Sequence, residues 1–297
     1  LWNRALRSTY APGSTVKPIV GLAGLEEEVV TAEDGIFCDL VYNYFADLPL
    51  NCVGLGNHGH SYVNLRSALT HSCNTYFYEV GRLLGISKIN EYFTMFGLGQ
   101  ETGVELTEAK GVAASKENRE AQGGIWYPGN TVQAAIGQSD NLFTPIQLCA
   151  YVATLANGGT RYRAHLVKNI RNPQTGEIVY EAQPQVDHKL AILPENLKAV
   201  LNGMKNVTEL GTASDVFTDF NVAVGGKTGT AEVSQGSDNA LFVGFAPFDN
   251  PKIAVCAVIE HGVHGANAAY VVRDVIDEYL NAPGGQVKIN KKNILTR

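Results

Sequence analysis

The chain has 297 residues, of which 45% are apolar and 18% are charged, and its formal net charge is −6. This composition is typical of a globular protein and excludes a disordered or fibrous chain. The negative net charge does not indicate a basic surface that could bind nucleic acid. No apolar run approaches the roughly 20 residues needed to cross a bilayer. The length suits one large domain.

Helical patterns dominate the first half of the chain. After Pro12-Gly13, apolar residues at helical spacing predict a helix over 12–28. Residues 34–62 are rich in Gly, Asn, Asp and aromatic residues without a clear period, and they predict a long loop of a kind that is often functional. Further helices are predicted at 64–85, 88–96 and 144–157, with a Gly-rich connection reaching about residue 130.

The second half contains the main predicted strands. Residues 161–190 predict short strands and turns, followed by a helix from Pro194 to about Val207. Strand-like segments then lie at 222–233, 239–246 and 252–260, before a helix at 266–281 and a polar tail at 282–297. Helices followed by antiparallel strands and a closing helix predict one α+β domain over 1–281, with a helical half and a sheet half.

The first candidate catalytic motif is Ser14-Thr15-Val16-Lys17. Positions i and i+3 share one face of a helix, so the hydroxyl and the amine can meet. Serine is a poor nucleophile unless a base takes its proton, and lysine is such a base only where burial and neighbours lower its pKa. A helix N-terminus also directs backbone N–H groups toward developing negative charge. Alone, the motif is common and is explained more simply by a surface Ser and Lys on a helix.

The second motif is Ser72-Cys73-Asn74. Ser72 could relay a proton between a leaving group and the base, and Asn74 could hold a substrate amide. Alone, this triplet carries little information, because most such triplets cap helices or lie on turns.

The third motif is Gly226-Lys227-Thr228-Gly229-Thr230, on a predicted strand. Gly229 lets a ligand backbone approach closely, while Lys227 and the hydroxyls of Thr228 and Thr230 suit a terminal carboxylate. The simpler alternative is an edge strand with a turn residue. The three motifs together, in this order, are the set found in serine β-lactamases and penicillin-binding proteins.

Together with their flanks, the motifs resemble class B penicillin-binding proteins from about Asn3 to Leu280. Trp126-Tyr127-Pro128-Gly129 and the loop at 34–62 favour the elongation-type branch. The resemblance implies the fold of serine β-lactamases and penicillin-binding transpeptidases, in which helices flank an antiparallel sheet beside an all-helical half. One departure is Ser139, where the family usually has Gly.

The resemblance also implies segments that this chain is expected to lack. Family members carry a membrane helix, a pedestal domain and a sheet hairpin before the segment Asn3-Arg4-Ala5. We therefore expect a sheet of three main strands, with an unpaired edge on the strand near 252–260. We expect the intact protein to be anchored in the cytoplasmic membrane with this domain outside, beside a membrane glycosyltransferase partner of the elongation machinery.

By the same resemblance, Ser14 attacks the carbonyl between the two terminal D-alanines of a peptidoglycan stem peptide. Lys17 is the base and Ser72 shuttles the proton, so that D-alanine leaves and an acyl-enzyme forms. An amine of a neighbouring stem peptide then takes the acyl group. β-Lactams would acylate Ser14 and remain attached, and no cofactor is required for the chemistry.

The resemblance assigns binding roles to the remaining motif residues. Asn74 contacts the donor amide, and Lys227 tunes the proton of Ser72. Thr228 and Thr230 bind the terminal carboxylate, while Gly229 allows close approach. The oxyanion would meet the backbone N–H groups of Ser14 and Thr230.

Three cysteines and a histidine form a possible structural zinc site. Cys38, Cys52, His60 and Cys73 would make a Cys₃His tetrahedron, with His58 and Asp39 as alternates. Some elongation-type members are similar in holding a zinc ion near Ser-x-Asn through Asp, His and Cys. The spacing lacks a Cys-x-x-Cys core. Free buried thiols, or a Cys38–Cys52 disulfide in an oxidising compartment, are the alternatives.

Two other functions remain open from the sequence. The first is a β-lactamase or D,D-carboxypeptidase, which shares the motifs but hydrolyses the acyl-enzyme. The second is a non-catalytic β-lactam sensor or cell-wall scaffold. The intact motifs favour an enzyme.

Overall fold

The computed structural model describes residues 2–45, 47–54 and 56–281, so the predicted tail at 282–297 lies outside the described residues. The helices are α1 (Arg4–Arg7), α2 (Lys17–Glu26), α3 (Leu65–Thr70), α4 (Asn74–Met95), α5 (Lys116–Ala121), α6 (Pro128–Ala135), α7 (Pro145–Ala156), α8 (Pro194–Glu209), α9 (Ser214–Phe217) and α10 (Gly265–Asn281). The strands are β1 (Ile36–Cys38), β2 (Val41–Tyr42), β3 (Leu50–Asn51), β4 (Ser61–Val63), β5 (Thr160–Tyr162), β6 (Asn169–Arg171), β7 (Ile178–Glu181), β8 (Val186–Lys189), β9 (Gly225–Ala231), β10 (Asn239–Ala246) and β11 (Ile253–Ile259). Within the described ranges, none of the helices combines the length and apolarity needed to cross a membrane.

The helical half is built around α2, which is buried along nearly its whole length. Ile19, Leu22 and Ala23 have no exposed surface, because this segment is apolar all round rather than along one stripe. α4 packs along α2, while α3 and α8 pack against each other and close the same core. A 3₁₀ turn at Gly13–Val16 precedes α2, so the predicted helix over 12–28 begins with a tighter turn than expected.

The predicted helix over 64–85 is interrupted in the structure. It divides into α3 and α4 around Ser72, whose φ of 56° is left-handed and cannot continue a helix. The break predicted between residues 85 and 88 falls at Gly85, where φ is 73° and ψ is 161°, and the chain then continues helical to Met95.

Two connections hold more regular structure than predicted. The Gly-rich connection to about residue 130 contains α5, which Ser115 caps, and α6, which starts at Pro128. The long loop at 34–62 contains two antiparallel pairs, β1 with β4 and β2 with β3. Strands of two or three residues are too short to produce a recognisable alternation in the sequence.

The main sheet has the order β11-β10-β9, and both pairings are antiparallel. β10 is buried along its whole length, because α10 packs on the sheet through Ala268, Val272 and Ile276 while α7 contacts the strand as well. Among the described residues β11 pairs only with β10. The expected three strands, with an unpaired edge near 252–260, are therefore confirmed for the described part of the chain.

Ser139 occupies a backbone conformation that favours glycine. Its φ is 60°, and a side chain in the left-handed region costs roughly 1–2 kcal/mol. The family's preference for Gly at this position therefore has a steric reason. The Ser139 hydroxyl accepts one hydrogen bond, from Arg119 at 3.4 Å.

We expect Ser139→Gly to raise the free energy of unfolding by about 0.5 kcal/mol, because the relief of strain exceeds the larger unfolded-chain entropy of glycine. The midpoint of urea unfolding measures the change. Ser8→Gly is a matched control, because Ser8 also accepts one side-chain hydrogen bond but has a φ of −90°. Glycine at Ser8 should lower stability, and stabilisation by both variants would contradict the assignment of strain.

Candidate active site

The structure brings the three sequence motifs together between the helical half and the sheet. Ser14 lies in the 3₁₀ turn, and Lys17 is the first residue of α2. Ser72 lies between α3 and α4, Asn74 is the first residue of α4, and the third motif lies on β9. Residues i and i+3 of a 3₁₀ turn eclipse each other, so Ser14 and Lys17 share a side.

The turn that carries Ser14 lies directly against β9. A Cβ on Gly13 would be 2.5 Å from the carbonyl oxygen of Thr230, and a Cβ on Gly229 would be 2.8 Å from that of Pro12. Neither position has room for a side chain, so both need glycine. The contact places the backbone of Thr230 beside the turn of Ser14, as the predicted oxyanion site requires.

Lys17 is fully buried, and its ammonium group has three acceptors. The Nζ atom lies 2.9 Å from the carbonyl oxygen of Ser72, 3.3 Å from Ser72 Oγ and 2.6 Å from Asn74 Oδ1. Burial lowers the pKa of Lys17 to about 8, and negative charge on the nearby sulfurs of Cys73 and Cys52 opposes part of the shift. A lysine with this pKa has a useful fraction of neutral amine near neutral pH.

Lys227 reaches the same serine from the sheet side. Its Nζ donates to Ser72 Oγ at 2.9 Å and to the carbonyl oxygen of Thr228 at 3.0 Å, and its side chain is fully buried. Burial lowers the pKa of Lys227 well below its ordinary value, and the positive charge of Lys17 lowers it further. Ser72 Oγ is thus shared by two amines whose burial favours loss of a proton.

Ser14 lies on a cavity of about 990 Å³. The expected direct contact with Lys17 is not among the hydrogen bonds of the described residues, where Lys17 bonds instead to Ser72 and Asn74. An ammonium group has three donors, and these three acceptors use all of them. Loss of one proton frees a lone pair on Nζ, which can then accept the hydrogen of Ser14.

The cavity collects three of the five predicted binding residues. Gly229 is not among its lining residues, because its Cβ side faces Pro12 and Thr15 of the Ser14 turn rather than a ligand. Asn74, Thr228 and Thr230 line it with Ser14 and Ser72, while Lys227 lies buried behind this wall.

Thr212 received no role from the sequence, although Gly211-Thr212-Ala213 is one of the flanks that resemble the family. Its Oγ1 lies 2.7 Å from Thr228 Oγ1 on the wall of the cavity. A threonine in a loop does not by itself indicate such a contact.

Beside the cavity lies the predicted metal cluster. The possible ligand atoms of Cys38, Cys52, His60 and Cys73 all lie within 4.8 Å of one another, and all four residues are buried. Neither alternate residue, His58 nor Asp39, joins this cluster among the described residues. The cysteines are free thiols, so the alternative Cys38–Cys52 disulfide is not formed.

The distances within the cluster fit a tetrahedral ion. Cys38 Sγ and Cys52 Sγ each lie 3.5 Å from His60 Nδ1, and the sulfurs of Cys52 and Cys73 are 3.9 Å apart. Tetrahedral zinc, with Zn–S of about 2.3 Å and Zn–N of about 2.0 Å, separates sulfur from nitrogen by roughly 3.5 Å and sulfur from sulfur by roughly 3.8 Å. The donor set therefore fits zinc in both chemistry and spacing.

The cluster is joined to the second motif through the backbone. Cys73 lies between Ser72 and Asn74, and the backbone N–H of Asn74 donates to Cys52 Sγ at 3.1 Å. The side-chain amide of Asn74 donates to the carbonyl oxygen of Asn51 at 3.4 Å. The loop at 34–62 is thereby fixed to the start of α4.

Residues 1–277 match the family model described as the penicillin binding protein transpeptidase domain. The chain belongs to this family. It is 32% identical over 305 residues to the peptidoglycan D,D-transpeptidase MrdA of Acinetobacter baumannii, covering 94% of this chain and 44% of that protein. The chain spans about half the length of the curated relatives it matches.

Solved structures of family members share the fold. Pseudomonas aeruginosa PBP2 has a TM-score of 0.84 and 37% identity, covering 99% of this chain and 66% of that one. The imipenem acyl-enzyme of penicillin-binding protein A from M. tuberculosis has a TM-score of 0.82 and 27% identity, covering 94% and 62%. A peptidoglycan synthase complex has a TM-score of 0.84 and 32% identity, covering 97% and 49%. The predicted family and α+β fold are confirmed.

We expect the acylation of Ser14 by benzylpenicillin to become faster as the pH rises, with a midpoint near pH 8 and a plateau about one pH unit higher. Because burial lowers the pKa of Lys17 to about 8, half of the base is neutral at about pH 8 rather than above pH 10. The second-order rate constant, measured from about pH 6 to 10, gives the profile. Lys17→Arg keeps a permanent charge and should lose this rate. A wild-type rate that is independent of pH would contradict the role of Lys17 as the base.

Proposed function

We propose that this chain is the acyl-transfer domain of a peptidoglycan D,D-transpeptidase with Ser14 as its nucleophile. The observation that carries the proposal is the meeting of two buried lysines at Ser72 Oγ, beside Ser14 and β9. Such a group can take a proton from one oxygen and return it to a leaving nitrogen. The similarity to a peptidoglycan D,D-transpeptidase, MrdA of Acinetobacter baumannii, supports the substrate class.

In the acylation step, Ser14 Oγ attacks the carbonyl carbon between the terminal D-alanines of a donor stem peptide, and its proton passes to neutral Lys17. The backbone N–H groups of Ser14 and Thr230 stabilise the oxyanion. The C–N bond then breaks, Ser72 delivers a proton to the departing D-alanine nitrogen, and Lys17 reprotonates Ser72. An acyl-enzyme remains on Ser14.

The binding residues hold the donor peptide along β9. Thr228 and Thr230 bind the terminal carboxylate, and Gly229 lets β9 lie against the turn that carries Ser14. Asn74 contacts the donor amide through its side-chain amide, which keeps one N–H beyond the bond to Asn51 and one lone pair beyond the bond from Lys17. Lys227 donates to Ser72 Oγ and so directs the Ser72 hydrogen toward the leaving group.

In the second step, an amine of a neighbouring stem peptide attacks the ester carbon and releases Ser14. A β-lactam opens on Ser14 in the first step and remains attached as an ester. The imipenem acyl-enzyme of the M. tuberculosis relative supports this reaction for the family site.

For the intact protein, we propose the elongation-type branch, a membrane anchor and a glycosyltransferase partner. The MrdA name of the relatives supports the branch. The similar synthase complex, described as coordinating polymerization and crosslinking, supports the partner.

Benzylpenicillin should add its mass once to the protein, on the peptide that carries Ser14. Ser14→Ala should abolish the adduct because it removes the attacking oxygen, whereas Ser8→Ala should leave it intact. Intact-mass spectrometry and peptide mapping are the measurements. An adduct on another residue would refute the assignment of Ser14.

Turnover separates the proposal from the alternatives that share this adduct. With a stem-peptide donor and an amine acceptor, a transpeptidase forms the cross-linked product. A carboxypeptidase or β-lactamase releases only hydrolysed product, and a sensor or scaffold shows no turnover.

We also propose that Cys38, Cys52, His60 and Cys73 hold a structural zinc ion. Four protein ligands close the coordination sphere, so the ion would link loop 34–62 to α4 without binding substrate. The support is the pattern of distances, which matches the edges of a zinc tetrahedron.

Purified protein should contain about one equivalent of zinc, and chelation should lower its melting temperature because the closed site contributes folding energy. Cys38→Ser should reduce the zinc content, measured by mass spectrometry of the metal. Cys149→Ser is the matched control, since Cys149 lies outside the cluster. Protein without zinc that is unaffected by chelation would refute the site.

A further inference from the structure

The loop between α8 and α9 brings Thr212 to the wall of the active-site cavity. Its hydroxyl lies 2.7 Å from the hydroxyl of Thr228, one of the two proposed carboxylate ligands. No step of the proposed mechanism uses Thr212.

The backbone of this loop is fixed to the end of α3. The N–H of Thr212 donates to the carbonyl oxygen of Thr70 at 3.3 Å, and Gly211 packs so closely on the same carbonyl that a Cβ would overlap with it. On its other side, the N–H of Ala213 donates to the carbonyl oxygen of Val207 at 3.0 Å. Thr212 therefore has a defined position between the second and third motifs.

The position of Thr212 affects which hydrogen-bond donor and acceptor sites of Thr228 remain free for a ligand. A hydroxyl has one hydrogen to donate and two lone pairs. Lys227 Nζ lies 3.5 Å from Thr228 Oγ1. While it is protonated, this ammonium group can donate a hydrogen bond to Thr228 but cannot accept one. If Thr212 donates as well, both lone pairs of Thr228 are occupied, and its one hydrogen is left for a ligand in the cavity. An anion is the ligand that this free hydrogen favours.

We propose that Thr212 is a positioning residue that makes Thr228 a hydrogen-bond donor to the terminal carboxylate of the donor peptide. The inference rests on the proposed function, because it assigns the carboxylate to Thr228. Thr212 acts through Thr228 and takes no part in bond making. Its loss should therefore weaken recognition of the carboxylate and leave the reactivity of Ser14 unchanged.

Two probes that differ only in the carboxylate test this role. Benzylpenicillin carries the carboxylate, and its methyl ester does not. In Thr212→Val, the second-order rate constant of acylation should fall about tenfold or more for benzylpenicillin, the scale of one hydrogen bond to a charged group. It should change little for the ester. Thr212→Ser keeps the hydroxyl and should restore the rate.

The double variant supplies a second criterion. Because Thr212 acts through Thr228, Thr212→Val in a Thr228→Val background should cause no further loss with benzylpenicillin. Thr218→Val removes an exposed threonine hydroxyl bonded to Ser214 on the next helix and should leave both rates unchanged. Thermal melting checks that every variant is folded.

Each other result overturns a specific claim. Equal losses for both probes, or additive losses in the double variant, would show that Thr212 is only structural. An unchanged rate in Thr212→Val would remove it from recognition altogether. A wild-type protein that neither probe acylates on Ser14 would instead refute the proposed function on which this role rests.

Discussion

Two buried lysine side chains converge on one serine hydroxyl, and the rest of the site depends on making this burial tolerable. A buried ammonium group is costly unless acceptors replace its water. Lys17 obtains three acceptors from Ser72 and Asn74, and Lys227 obtains Ser72 Oγ and the carbonyl of Thr228. Ser72 and Asn74 come from the α3–α4 junction, whereas Lys17 comes from α2 and Lys227 from β9. The junction must therefore be held within about 3 Å of both lysine nitrogens. Because this packing buries both lysines, the pKa of each is lowered, which makes the neutral amine accessible for proton transfer.

The sequence predicted the candidate catalytic residues better than it predicted the hydrogen bonds that hold them in place. Ser14, Lys17, Ser72 and Lys227 are recognisable because their residue types and order are rare in combination. The sequence did not indicate that Lys17 would donate its three hydrogens to Ser72 and Asn74, because hydrogen-bond partners depend on which chain segments lie close together in the folded structure. Thr212 was missed for the same reason: its partner Thr228 lies 16 positions away in the sequence and on a different element.

The prediction of secondary structure from the sequence failed where the local sequence pattern was weakest. The two-residue and three-residue strands in loop 34–62 show no alternation, and their pairing is stabilised by packing on α4. Tyr42 of β2 donates to Glu79 on α4 at 2.6 Å, and Tyr78 of α4 donates to the carbonyl of Asn51 in β3 at 3.3 Å. For the cysteine cluster, by contrast, the structure brings together the four residues that the resemblance indicated, although they are too far apart in the sequence for a recognisable metal-binding spacing. Cys73 lies outside the loop, so the loop must pack against the α3–α4 junction to bring the four ligand atoms within 4.8 Å of one another.

The contact between the Ser14 turn and β9 also limits how the family site can vary. Backbone meets backbone there, with glycine at positions 13 and 229 and no space for a Cβ. The width of the cleft at Ser14 therefore cannot be adjusted by exchanging the side chains at positions 13 and 229. Changes in ligand preference have to arise on the facing walls, such as the loop at 49–54 and the segment Leu210–Thr212. If the proposed acylation by β-lactams holds, resistance through altered fit would accordingly evolve at the rim of the cavity, while β9 stays constant.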